Sequence, residues 1–145
     1  MDDYLARQLS SYAGRCLALS SSAPGRRTHD GNDRGIHLGA SLISEAVHCA
    51  MLGITVTAAD VIGNLEELPK SLLELARRLE HLEAHSFEPF EYETIALIDR
   101  IHLMGSEKVL LPESFCLDMI QEGRGLAERL VNVLRNKLHS VGDSR

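Results

Sequence analysis

Residues 35–53 read GIHLGASLISEAVHCAMLG, and the spacing of their apolar members decides the fold class. Ile36, Ala40, Ile43, Val47 and Ala50 recur at alternating steps of four and three, with Met51 beside them, so they share one face of a helix. Ser, Glu and His occupy the opposite face. The small residues Gly35, Gly39 and Ala40 let a neighbouring helix approach closely, and Gly53 reads as the C-cap. Beyond it, Ile54-Thr55-Val56 is too short to form a sheet without partner strands, so a buried turn is expected there. Thr57 followed by Asp60 predicts the start of a third helix, by analogy with a capping box.

The same periodicity extends to both sides. Leu5, Leu9, Tyr12, Cys16 and Leu19 predict a first helix over 3–20, opened by Asp2 and Asp3 at its positive end. Residues 20–34 then turn to Ser, Pro, Gly, Arg and Asp, which offer nothing to offset the entropy of ordering the backbone, and are expected to form a flexible linker. Downstream, Pro69 begins a helix or kinks one, and Leu72, Leu75, Ala76, Leu79 and Leu82 continue an apolar stripe. A loop with Phe87, Pro89 and Phe90 leads to a helix over 92–104, built on Ile95, Ile98 and Ile101. From Pro112 onward the stripe predicts one long helix bent at Gly123 and Gly125, or two helices joined there. The expectation is an all-α protein, a single helical domain over 1–145 with five to seven helices in a bundle.

The 145 residues carry 15 Lys+Arg against 21 Asp+Glu, a net charge of −6 that disfavours nonspecific binding to nucleic acid or to an anionic membrane. No uncharged apolar run approaches the ~18 residues of a membrane span, and residues 1–4 do not resemble a leader. Cys16, Cys49 and Cys116 are odd in number and widely spaced, which suggests reduced thiols and a cytoplasmic location.

Candidate chemistry is sparse. Glu45-Ala-Val-His48 and Asp99-Arg-Ile-His102 share the carboxylate-x-x-His spacing of dimetal bundles. At ~100° per residue, however, Glu45 and Asp99 both fall away from their apolar faces and are expected to point to solvent. A metal-dependent helical enzyme using His48, His102 and nearby carboxylates is the alternative function. His81 and His85, one helical turn apart beside Arg77 and Arg78, make a weak chelate at most. No nucleophile elbow, P-loop or dinucleotide fingerprint is present, so no catalytic residue, metal or cofactor is assigned. A DNA-binding regulator using Arg26, Arg27 and Arg34 lacks a basic recognition helix and has Asp30 and Asp33 against it.

Charge is distributed unevenly. Residues 1–40 sum to +1, residues 41–123 to −10 and residues 124–145 to +3. The acidic stretch includes Glu80, Glu83, Glu88, Glu91 and Glu93, interleaved with Phe87, Phe90 and Tyr92. Aromatics that anchor and carboxylates that steer would together form an epitope for a basic surface on a partner protein; alternatively, the aromatics fold inward and the glutamates are merely solvated. Leu126, Leu130, Val131, Leu134 and Leu138 form a stripe wider than one neighbouring helix needs, which suggests a homodimer interface or a helix covered from two sides. The expected function is that of a protein-binding regulator, inhibitor or adaptor.

Overall fold

The helical periodicities become five helices in the computed structural model, which describes residues 3–22, 34–58, 68–104 and 111–143. These are α1 (Asp3–Ser22), α2 (Arg34–Ala58), α3 (Leu72–His81), α4 (Pro89–Met104) and α5 (Glu113–Asp143). The described residues contain no strand, so the protein is all-α. Most of the expected linker, residues 23–33 with Arg26 and Arg27, lies outside the described residues. Its two expected ends are helical, since α1 reaches Ser22 and α2 begins at Arg34.

α2 touches every other helix and forms the centre of the bundle. It does not stop at Gly53. The β-branched run Ile54-Thr55-Val56 is helical and fully buried, and Thr57 lies in the last turn of α2, while Asp60 of the expected helix start lies outside the described residues. Three β-branched residues lose at most ~0.7 kcal/mol each in helix propensity, whereas burying Ile or Val returns ~1.5–3 kcal/mol, so packing decides the conformation. The Thr55 and Thr57 hydroxyls donate to the carbonyls of Met51 and Ile54, both at 2.8 Å, which satisfies them inside the helix. Gly53 is a contact point: a side chain there would overlap Leu134 of α5. Over Gly35–Ala58, α2 is long and apolar enough to cross a membrane by length and composition, but 78% of its most apolar stretch is buried within the fold, as in a core helix.

α1 packs on α2 and α5 through small side chains. Its buried positions are Ala6, Ser10, Ala13, Cys16 and Ser20, while Tyr12 and Leu19 of the expected stripe are exposed. Alanine and serine let two helix backbones come close, and this contact outweighs burial of the larger groups. α5 is one continuous helix. Gly123 sits where a methyl group would meet Ile43 Cγ2 at 2.7 Å and Ile98 Cδ1 at 3.1 Å, so it admits α2 and α4 to the α5 surface. Gly125 faces open space.

Pro69 neither begins nor kinks a helix. α3 starts three residues later with Ser71 as N-cap, its hydroxyl accepting from the Glu74 N–H at 3.4 Å. Because α3 ends at His81, His85 lies in the following loop, and the two histidines do not share a helix turn.

Candidate functional site

The corner between α3 and α4, residues 80–93, contains all eight expected partner-binding residues, and the structure divides them into two sets. Glu80 accepts the Phe87 N–H at 2.9 Å and a hydrogen bond from the Tyr92 hydroxyl. These bonds hold the Glu80 carboxyl below its ordinary range, the Phe87 N–H contributing most. Burial, and then Glu80, push Tyr92 up to about 12, so its phenol stays protonated as the donor. Phe87 is only 8% exposed and meets the rings of His85 and Tyr92 edge-on, at centroid distances of 4.7 and 5.7 Å. Glu91 is 4% exposed; it accepts the Glu88 N–H at 2.8 Å and forms an ion pair with Arg129 of α5. Phe87 and Glu91 are therefore parts of the scaffold, contrary to the expectation that both face a partner. Burying an aromatic ring and pairing a buried carboxylate outweigh displaying either group.

Glu83, Glu88, Phe90 and Glu93 form the displayed set, and all four are exposed. Phe90 is 64% exposed in the first turn of α4, behind Pro89 at the first helical position, where a missing N–H costs nothing. Glu83 closes α3 in a Schellman motif, with its own N–H bonded to the Glu80 carbonyl at 3.0 Å and the Ala84 N–H bonded to the Leu79 carbonyl at 2.9 Å. Its φ of 56° lies in the left-handed region that favours glycine at this position.

At the other end of the hairpin, Asp99 contradicts the expectation that it points to solvent. It is 5% exposed and accepts both the Leu72 N–H at 2.8 Å and the Ser71 hydroxyl at 2.7 Å, so a residue of α4 caps α3. Its neighbour His102 does meet His48, with ring centroids 4.6 Å apart at the α2–α4 junction. Burial, and then His102, lower the pKa of His48, while Glu45 and Asp99 pull the other way. Cys49 is pushed up to about 12 by burial, and then by Glu45 and Cys16, so its thiol is not a nucleophile near neutral pH. Two imidazoles do not complete a metal site. Both Asp99 oxygens are engaged, and among the described residues no three His, Cys, Asp or Glu side chains are grouped to hold an ion.

No family model, curated protein or solved structure matches the chain.

Leu126, Leu130, Val131, Leu134 and Leu138 are all buried within the chain, on a helix contacted by α1, α2 and α4. The wide stripe covers several neighbours of one molecule, and these side chains offer no surface to a second copy. Two helix starts escaped the sequence reading although their signals were present. Ser71-Leu-Leu-Glu74 has the capping-box spacing, and Glu88-Pro-Phe-Glu91 places Pro at the first helical position and Glu at the third.

Proposed function

We propose that this protein is a non-enzymatic, cytoplasmic, protein-binding regulator, an inhibitor or adaptor, that engages a basic surface of a partner protein through the α3–α4 corner. The supporting observation is Phe90, a 64% exposed ring flanked by exposed Glu88 and Glu93 on a backbone that Glu80, Phe87 and Glu91 hold in place. An aromatic on a fixed backbone leaves only its side-chain rotamers to be ordered on docking, and surrounding carboxylates accelerate encounter with a basic surface. Glu83 supports the same reading. A glutamate in a left-handed cap costs ~1 kcal/mol relative to glycine, and a charged side chain kept at such a cost suits a role at the surface.

The test is capture from the native host, followed by titration of the captured partner. Phe90→Ala is expected to weaken binding by about tenfold or more. Glu88→Gln with Glu93→Gln is expected to slow association and flatten its salt dependence. Glu83→Gly separates the two roles: it is expected to raise stability by ~1 kcal/mol while weakening association. If Phe90→Ala and the double glutamine variant left the affinity and its salt dependence unchanged, the corner would not be the binding site.

A further inference from the structure

A groove of about 330 Å³ between α1 and α5 is lined by Arg7, Ser10 and Ser11 from one helix and by Arg135, Leu138 and His139 from the other. Each trio has the spacing i, i+3, i+4, so each is a single helix face, and the two faces oppose one another. The groove lies where the +1 and +3 ends of the chain meet, and no carboxylate lines it. Ser10 and Leu138 are buried at its base, while Arg7 and Arg135 stand at the exposed margin.

Gly14 continues the α1 face one turn beyond Ser10 and Ser11. A methyl group at Gly14 would stand 2.6 Å from Nη2 of Arg135, so the missing side chain is what lets this guanidinium rest against α1.

We infer that this groove is an anion site for a small phosphate monoester. Guanidinium groups bind phosphate oxygens in a planar, bidentate fashion, hydroxyl donors complete the set, and Leu138 gives the ester an apolar wall. The volume is at the low end of ligand pockets, which suits a single phosphorylated metabolite and not a polymer. The lining contains no carboxylate, so it offers a metal cation no anionic ligand. Arg135 is two residues from Lys137, which lies near His85 under the acidic corner, so α5 serves the two regions with different faces.

The experiment is NMR titration of the full chain with phenyl phosphate and, separately, inorganic phosphate at physiological ionic strength. Saturable shifts of Ser10, Ser11 and Arg135 resonances are expected with both, and the ester should bind more tightly through Leu138. Arg135→Gln is expected to weaken binding about tenfold. Gly14→Ala keeps the arginine but displaces its guanidinium, and is expected to weaken binding several-fold with the helical spectrum and unfolding midpoint retained. Absence of saturable shifts, or saturable binding that Arg135→Gln and Gly14→Ala leave unchanged, would overturn the assignment. Binding of inorganic phosphate equal to that of the ester would refute the monoester specificity.

Discussion

The α3–α4 hairpin and the α1–α2–α5 layer are held together in different ways. The hairpin relies on carboxylates with named partners: Asp99 caps α3, Glu80 accepts from the loop, and Glu91 braces the start of α4 against Arg129. In the layer, alanines, serines and glycines bring the helix backbones close, and the buried side chains are almost all apolar. Directed bonds hold a short hairpin in a defined shape although α3 has only ten residues. Close packing stabilises long helices without fixing any one contact, since each loss is shared among many neighbours. The exposed Phe90 is carried on the first kind of structure.

The sharpest challenge to this contrast is Asp99→Ala. It leaves the Leu72 N–H without its acceptor in a buried position, and the expected cost is ~2–3 kcal/mol in urea unfolding. Hydrogen exchange should speed up over 72–81 while α2 and α5 stay protected; equal loss everywhere would mean that the two regions are one cooperative unit.

A smaller effect separates two glycines of α5. Gly125→Ala is expected to stabilise by up to ~1 kcal/mol, because it gains helix propensity in open space. Gly123→Ala should lose that gain to its contacts with Ile43 and Ile98. Thermal melts of the two variants decide the point, and equal stabilisation would show that the layer has slack at Gly123.

The mildest expected effect is that of acid. His48 and His85 both have folded pKa values below 6.5, owing first to burial and then to their neighbours, His102 for one and Arg129 and Lys137 for the other. The unfolded chain therefore binds more protons than the folded one as pH falls through 6.5, so this contribution is intact above 6.5 and declines below it. His48→Gln combined with His85→Gln should flatten the fall in stability between about pH 6.5 and 5. An unchanged slope would assign the acid sensitivity to the carboxylates of the hairpin.

Most of this architecture was legible in the sequence, and the limits have physical causes. The stripes of α2 and α5 announce themselves because one face of each is apolar over many turns. On α1 the stripe holds at Leu5, Leu9 and Cys16 but not at Tyr12 and Leu19, because close approach favours burying Ala6 and Ala13 whereas a hydrophobicity count favours the larger side chains. Asp99 escaped because its partners lie 27 and 28 residues away, and no local pattern records a contact at that distance. The residues of the corner cannot be divided from sequence alone, since Glu88 and Glu91 look alike until Arg129 is brought beside one of them.

The central position of α2 also sets an order of events during synthesis. Of the described helices only α1 precedes α2, and 54 residues lie between Ala58 and Glu113, where its second large neighbour begins. At about 5–20 residues per second, that apolar surface waits roughly 3–11 seconds for α5. The surface of α2 is thus most open to chaperone capture, or to association with another unfinished copy, in the interval before α5 emerges.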